Sequence, residues 1–216
     1  MSISENIKHI KSQIPETITL IAVSKTKPND MLLEAYNAGH RHFGENYVQE
    51  LVDKETQLPK DINWHFIGHL QSNKVKYLAP FVYLIHGVDS FNLLKEINKQ
   101  AQKNNRIIDC LLQIYIANEE TKFGLDFKEA SDILKSTEFK VLKNINIKGF
   151  MAMASNTDNK GQIKNEFATL KNFSLQYPEF KILSFGMSSD YKLAIEEGST
   201  MIRVGSSIFG EREYSK

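Results

Sequence analysis

The chain has 216 residues, which at about 150 residues per domain corresponds to one large domain or two small ones. Lysine and arginine number 27 and aspartate and glutamate 26, so the formal net charge is only +1. A charge this close to balance argues against a nucleic-acid-binding protein, whose domain usually carries clustered basic residues. Hydrophobic residues make up 41% of the chain and charged residues 25%, which excludes a globally disordered protein.

The single cysteine, Cys110, excludes an intrachain disulfide framework and a cysteine-rich zinc site. Its place in the apolar segment DCLLQIYI predicts a small buried residue. The first residues, MSISENIKHIKSQIPE, lack the apolar segment of a signal peptide, and no window approaches the roughly 18 apolar residues of a membrane span. We therefore predict a globular protein of the cytoplasm that does not enter membranes.

Short apolar segments recur along the whole chain and predict β-strands. Several, such as LIAV and CLLQIYI, are apolar on both faces, which is typical of parallel strands buried on both sides. The predicted strands are Thr19–Lys25, His42–Asn46, Trp64–Gly68, Leu84–Asp89, Asp109–Ile116, Ile147–Ala154, Ile182–Met187 and Met201–Gly205.

Amphipathic patterns between these segments predict helices. Ser90 is placed to cap one helix, and Asp126 with Glu129 resembles a capping box at the start of another. Further helices are predicted before Thr19, over Asp30–Ala38, around the stripe of Ile163, Phe167 and Leu170, and over Asp190–Glu197.

Eight alternating strands and helices predict parallel βαβ units. Right-handed crossovers in one direction close such a series into a single (β/α)8 barrel over residues 1–216, with the first helix as an extra element. The alternative is an open, doubly wound sheet. A barrel of this kind carries its active site at the carboxyl ends of its strands.

Lys25 is the strongest nucleophile candidate at those strand ends. It shares a face with Ile21 and Val23 by the period of two, and a lysine that continues an apolar face is costly to bury in its charged form. A partly neutral lysine is a competent amine nucleophile toward a carbonyl. The alternative is a lysine whose stem covers apolar surface while its ammonium reaches water. Lys27 is the weaker candidate because it precedes Pro28 in a loop.

The segments SFGMSSD and RVGSSIFG place small residues before two short helices, after the seventh and eighth strands. Barrels often bind phosphate there, since helix amino termini offer free N–H groups. The predicted phosphate cradle consists of Ser188, Ser189, Gly205 and Ser206. The alternative is ordinary capping by serine and turning by glycine.

Arg203 lies within the apolar strand MIRVG, so it requires either an internal carboxylate or a ligand atom as partner. The histidines include no HExxH motif, and we predict no metal site. His65 is expected to be a hydrogen-bonded residue at the barrel mouth. Trp64, Phe66 and Met153 are expected in the core.

A lysine nucleophile, a phosphate cradle and a buried cation on one barrel face together indicate a phosphorylated aldehyde held as a Schiff base. That description fits pyridoxal 5′-phosphate.

Several segments also resemble the pyridoxal phosphate homeostasis protein family. They are AVSKTKP at Ala22–Pro28, RHFGENYVQE at Arg41–Glu50, WHFIGHLQSNK at Trp64–Lys74, GFMAMA at Gly149–Ala154, SFGMSSD at Ser184–Asp190 and GSTMIRVGSSIFGEREYSK at Gly198–Lys216.

The resemblance implies a fold-type III barrel similar to the N-terminal domain of bacterial alanine racemase. It implies that Lys25 forms the Schiff base, that Ser188, Gly205 and Ser206 hold the phosphate, that Arg203 contacts the pyridine nitrogen, and that Asn46 lies near the ring.

The sequence departs from the family pattern at three positions. Ser206 replaces a frequent threonine and keeps the hydroxyl, while His69 stands where many members carry proline. Tyr115 stands where many members carry asparagine, although Glu119, Lys122 and Gly124 match. The change at Tyr115 does not touch the implied cofactor anchors.

We therefore predict a monomeric protein that captures pyridoxal phosphate on Lys25 and passes it to apo enzymes, without robust catalysis. The racemases that share this barrel carry a second domain with a catalytic tyrosine; few residues follow Gly205, and Tyr214 is a poor substitute. The alternatives are a single-domain amino-acid racemase or lyase, and a barrel for other phosphorylated metabolites in which Lys25 acts only electrostatically.

Overall fold

The computed structural model describes residues 2–119 and 123–211. Eight parallel strands, β1 to β8, pair in chain order, and β8 pairs with β1 to close a barrel. The predicted barrel is confirmed, and the open doubly wound sheet is wrong. The strands are Thr19–Val23, His42–Glu45, Asn63–Phe66, Leu84–Val88, Ile108–Gln113, Ile145–Met151, Ile182–Ser184 and Met201–Val204.

All eight predicted strands are present, but each ends earlier than predicted. The residues at the predicted ends form the loops of the carboxyl face, although the first of them, such as Ser24 and Ala152, still donate one hydrogen bond to the neighbouring strand. β1, for example, ends at Val23 rather than Lys25, and β7 ends at Ser184 rather than Met187. This difference places the candidate site residues in loops that the strands support.

Helices follow the strands on the outside of the barrel. The predicted caps are confirmed: Ser90 Oγ accepts from Leu93 N, and Asp126 and Glu129 form a capping box. The helices α1 to α10 are Ile3–Ser12, Asn29–Asn37, Val48–Gln57, Val75–Leu78, Phe91–Lys103, Phe127–Lys135, Thr137–Lys140, Lys160–Ser174, Tyr191–Glu196 and Ser206–Phe209, with a 3-10 turn at Ser72–Lys74.

The apolar side chains form two layers. Inside the barrel, five inward-facing residues of five different strands pack together: Ile21, Leu84, Leu111, Met151 and Met201. A much larger layer between strands and helices contains Trp64, Phe66 and Cys110, which are buried as predicted. This two-layer burial is the usual construction of a filled (β/α)8 barrel.

The extra amino-terminal helix is confirmed and is tied to the carboxyl face. Ser2 and Glu5 form its capping box, and Ile3, Ile7 and Ile10 form its buried stripe. Asn6 Nδ2 donates to the carbonyl of Ile208 in α10 at 2.9 Å. Within residues 2–119 and 123–211, no helix is long and apolar enough to cross a membrane.

Candidate functional site

A cleft of about 320 Å³ opens between the loops at the carboxyl ends of the strands. All six residues that the sequence assigns to cofactor binding line this one cleft, although they come from four separate strand ends. They are Lys25, Asn46, Ser188, Arg203, Gly205 and Ser206. Ser189 and Lys27 also line it, as do the apolar side chains of Val23, Ile67, Met153 and Met187.

Lys25 lies in the turn after β1 and not on the strand, which corrects the sequence-based placement. Ser24 before it is fully buried, and its N–H still bonds to the carbonyl of Gly44 on β2 at 3.0 Å. Thr26 after it has a positive φ of 64°. Such a backbone is unusual for a residue other than glycine, so the surroundings must hold the turn in place.

A buried ionic network supplies that support. Lys54 of α3 donates to the carbonyl of Ser24 at 2.8 Å and to Glu45 Oε1 at 2.8 Å. It also donates to Glu50 Oε1 at 2.6 Å, and the same oxygen accepts from the N–H of Thr26 at 2.6 Å. The residues on both sides of Lys25 are therefore bound to one lysine–carboxylate cluster, which sequence reasoning missed.

Glu45 is the most perturbed carboxyl of this cluster. It is 0% exposed, and burial raises its pKa from 4.5 to about 7, against the opposing influence of Lys54 and of the Ser24 hydroxyl at 2.6 Å. Its Oε2 has no hydrogen-bond partner among the described residues. The segment FGEN did contain a signal for this cluster, because a glutamate at the end of a short buried strand requires a hydrogen-bonding or charged partner.

The loops after β7 and β8 meet at the other side of the cleft. Ser188 Oγ accepts from the N–H of Gly205 at 3.2 Å, so the two loops are in direct contact. A Cβ added at Gly205 would lie 3.2 Å from the carbonyl oxygen of Val23, which leaves little room for a side chain. Ser206 begins α10 immediately after this close approach.

Arg203 is buried and 4% exposed at the wall of the cleft. NH1 donates to the carbonyl and the hydroxyl of Ser184, each at 2.7 Å, and NH2 donates to the carbonyl of Ala152 at 3.0 Å. The sequence left open a carboxylate or a ligand atom as the partner of Arg203, and no carboxylate of the described residues forms an ion pair with it. Burial lowers the pKa of Arg203 to about 10, with Asp190 opposing this shift.

Asn46 follows β2 at the wall between Lys25 and Ile67. Its Oδ1 is buried and has no hydrogen-bond partner among the described residues. A side chain at Gly68 would collide with the backbone of Asn46, so the glycine allows the two loops to lie against each other. An orphaned acceptor that lines a cleft indicates a missing donor, either a ligand group or a water molecule.

Two other sequence-based expectations require correction. Met153 packs against the apolar cluster inside the barrel but is only partly buried, because it also lines the cleft. His65 is hydrogen-bonded, but it lies fully buried inside the barrel rather than at the mouth, because β3 positions it below the loops. Among the described residues, no group of three or more histidine, cysteine or acidic side chains is arranged to hold a metal ion.

Two of the three positions that depart from the family pattern, His69 and Tyr115, lie away from the lining of the cleft, whereas the third, Ser206, lines it. His69 stacks on Phe123 and contacts Asp89 Oδ2 through Nδ1 at 3.0 Å. Tyr115 donates from its hydroxyl to the carbonyl of Glu119 at 2.8 Å. Lys122 and Tyr214 lie outside the described residues.

The cleft thus brings together the amine of Lys25 beside that of Lys27, three serine hydroxyls, a close backbone turn, a buried guanidinium and an orphaned amide oxygen. The amine could attack a carbonyl carbon, while the hydroxyls and N–H groups could hold an anion. The guanidinium could donate hydrogen bonds to a ring nitrogen or an oxygen. The apolar side chains of Ile67, Met153 and Met187 could cover a flat ring.

Sequence comparison assigns the whole chain to known relatives. The profile described as "Alanine racemase, N-terminal domain" matches residues 1–213. The pyridoxal phosphate homeostasis protein of Vibrio alginolyticus is 39% identical over 233 residues and covers 99% of both chains. That of Aquifex aeolicus is 40% identical over 201 residues, covering 90% of this chain and 87% of its own.

Solved structures agree. PipY of Synechococcus elongatus, solved with PLP bound, is 36% identical with a TM-score of 0.87, covering 97% of this chain and all of its own. The alanine racemase of Bartonella henselae is 18% identical with a TM-score of 0.77, covers 97% of this chain and 58% of its own, and shows the fold alone. The chain therefore belongs to the pyridoxal phosphate homeostasis protein family, on the barrel of the alanine racemase N-terminal domain.

Proposed function

We propose that this protein binds pyridoxal 5′-phosphate covalently on Lys25, and that it stores and releases the cofactor within the cell. The observation that carries the proposal is the convergence of Lys25, Ser188, Gly205 and Arg203 in one cleft, where no carboxylate of the described residues forms an ion pair with Arg203. These groups match an aldehyde, a phosphate and a ring nitrogen on a single small molecule. The names of the relatives and the PLP-bound PipY structure support the same ligand.

The cleft fits such a ligand in size and in chemistry. Its volume of about 320 Å³ lies at the lower end of the 300–1,000 Å³ of ordinary small-molecule sites. The orphaned Oδ1 of Asn46 and the buried charge of Arg203 are costs of folding that a polar ligand would offset. Both features lie in the wall of the cleft that also holds Lys25.

Lys25 would hold the aldehyde carbon of the cofactor through its amine. The cluster of Glu45, Glu50 and Lys54 fixes the backbone on both sides of Lys25, which limits where the amine can reach. Ser188, Gly205 and Ser206 would hold the phosphate with hydroxyl and backbone N–H donors. Their loops already contact each other through the Gly205 N–H and Ser188 Oγ, so on binding this N–H would exchange the serine oxygen for a phosphate oxygen.

Arg203 would determine what the bound cofactor does. Pyridoxal phosphate, when bound, supplies an electron-withdrawing ring whose power depends on protonation of the ring nitrogen. A guanidinium beside that nitrogen disfavours a second positive charge there. Even with its lowered pKa, Arg203 stays charged at neutral pH. This arrangement favours a carrier over a decarboxylase or an aminotransferase.

The remaining parts of the proposal concern the cellular role. We propose that the protein acts as a monomer in the cytoplasm, that residues 1–216 form one domain, and that apo enzymes receive the cofactor. The open mouth of the cleft gives an incoming amine or water access to Lys25. The alternative, an amino-acid racemase on the same barrel, predicts exchange of the α-hydrogen of an amino acid in deuterated water.

A titration with pyridoxal phosphate, followed by absorbance, tests binding. We expect the wild-type protein and Lys27→Ala to develop a near-visible band that saturates at one equivalent, while Lys25→Ala develops none. Lys27 is the matched control because it lines the same cleft, where its Nζ donates to the carbonyl of Glu211 at 2.8 Å. An equal band in Lys25→Ala would contradict the proposal.

Transfer is tested separately by mixing loaded protein with an apo enzyme that requires the cofactor. We expect activity to appear as the near-visible band of the carrier decays, and we expect no deuterium in a panel of amino acids. A loaded protein that keeps its cofactor indefinitely would refute the carrier role. Deuterium exchange that depends on Lys25 would support the racemase instead.

A further inference from the structure

Three histidines and a serine form one hydrogen-bonded chain through the interior of the barrel. His42 Nδ1 lies 3.0 Å from His65 Nε2, and His65 Nδ1 lies 2.9 Å from His86 Nε2. His86 Nδ1 lies 2.9 Å from Ser184 Oγ, which accepts the 2.7 Å bond from Arg203 NH1. We call His42, His65, His86 and Ser184 the histidine relay.

The relay crosses the barrel from one end to the other. His42 begins β2 and lines an open cavity of about 260 Å³ among the first residues of the strands. His65, His86 and Ser184 are each 0% exposed. Arg203, at the other end, lines the candidate cofactor cleft. Buried polar groups usually form hydrogen bonds with one another. Here the hydrogen-bonded series ends on Arg203, which is a residue of the candidate site.

The donors and acceptors of the relay have one favoured direction. An arginine only donates, so Ser184 Oγ must accept from Arg203 NH1. The Ser184 hydroxyl has one proton of its own, and His86 Nδ1 is the acceptor for it among the described residues. The opposite direction would leave this buried hydroxyl proton without an acceptor among the described residues, which is unfavourable for a group removed from water.

This direction fixes the tautomers of the next two imidazoles. Since His86 accepts at Nδ1, its single proton lies on Nε2 and is donated to His65 Nδ1. His65 in turn carries its proton on Nε2 and donates it to His42 Nδ1. Burial holds the pKa of both His65 and His86 well below the usual value, so both are neutral, as a single-file relay requires.

We propose that His65 and His86 are positioning residues for Arg203, because they hold the Ser184 hydroxyl as the acceptor that orients its guanidinium. With NH1 bound twice to Ser184 and NH2 to Ala152, the plane of the guanidinium is fixed by three hydrogen bonds. Because the plane is fixed, the relay also determines the direction in which the remaining N–H groups of the guanidinium point. The consequence for a bound cofactor rests on the proposed function, whereas the relay itself does not.

Imidazole 15N NMR of the ligand-free protein tests the relay between pH 6 and 8. We expect His65 and His86 to remain neutral with the proton on Nε2, and we expect Ser184→Ala to perturb the His86 signals. Ser199→Ala is the matched control, since Ser199 is a buried serine between β7 and β8 whose hydroxyl, among the described residues, contacts backbone carbonyls and no histidine. A charged imidazole, or a proton on Nδ1 in either residue, would overturn the proposal.

Titration with pyridoxal phosphate then tests positioning. We expect Ser184→Ala and His86→Leu to weaken binding about tenfold and to shift the absorption maximum, while Ser199→Ala does neither. His86→Asn, whose amide oxygen can replace Nδ1 as acceptor, should restore binding. If Ser184→Ala bound pyridoxal phosphate with the wild-type affinity and absorption maximum, the proposal that the relay positions Arg203 would be refuted. If the wild-type protein bound no pyridoxal phosphate, the proposed function would fail while the NMR result still decided the relay.

Discussion

Replacing Glu45 by glutamine should remove a defined part of the pH dependence of folding. Glu45 is fully buried beside Lys54, and its pKa in the folded protein is raised from 4.5 to about 7. Between these two values the folded state binds more protons than the unfolded state. The stability that this carboxyl contributes is therefore complete below pH 4.5 and is lost as the pH rises through 7.

The magnitude follows from the two pKa values. At 1.36 kcal/mol for each pH unit, the difference between 4.5 and about 7 corresponds to about 3 kcal/mol of unfolding free energy. Glutamine cannot ionise, and it resembles the protonated glutamic acid in size and hydrogen bonding. Relative to wild type, Glu45→Gln should therefore gain about 3 kcal/mol between pH 4.5 and pH 8.

Urea unfolding of both proteins across this pH range, without added cofactor, measures the difference. Glu50→Gln is the control, because it removes the other carboxylate bound to Lys54 and leaves Glu45 able to ionise. It should keep most of the wild-type slope, because burial is the largest cause of the raised pKa of Glu45 and the charge of Glu50 contributes much less. Parallel pH curves for wild type and Glu45→Gln would refute the account of a carboxyl held at a raised pKa by burial.

Three further predictions concern the cleft and the core. Arg203→Gln should weaken the binding of pyridoxal phosphate by about tenfold or more in an absorbance titration, since hydrogen bonds from a charged donor contribute about 1.5–3 kcal/mol; wild-type affinity would contradict this. Gly205→Ala should weaken binding severalfold, because the new Cβ meets Val23 at 3.2 Å, while Gly161→Ala in α8 should leave the same titration unchanged. Burial raises the pKa of the Cys110 thiol, so iodoacetamide should modify it only in denaturant, and rapid modification of the native protein would contradict its burial.

The architecture and the cleft could be predicted because they depend on repeating local patterns. Segments apolar on both faces identify buried parallel strands, and eight of them with short connections close a barrel. Residues as distant in sequence as Lys25 and Ser206 meet because parallel strands bring their carboxyl ends to one face. Both residues line the cleft for that reason.

The supporting contacts could not be predicted because they depend on the register of the strands. His42, His65 and His86 lie on three different strands. The amino-acid sequence does not show which residues of different strands lie at the same height inside the barrel. Lys54 reaches Glu45 only because α3 packs behind the turn that holds Lys25. The alternation of side chains also led to a predicted β1 that is two residues too long, because alternation alone does not show that the strand ends at Val23.

Borohydride reduction of the protein loaded with pyridoxal phosphate, followed by peptide mapping, tests the central claim most directly. The account predicts one modified residue, Lys25, in the wild-type protein and in Lys27→Ala, and no modified residue in Lys25→Ala. Modification of Lys27 instead, or a wild-type protein that carries no label at all, would contradict it.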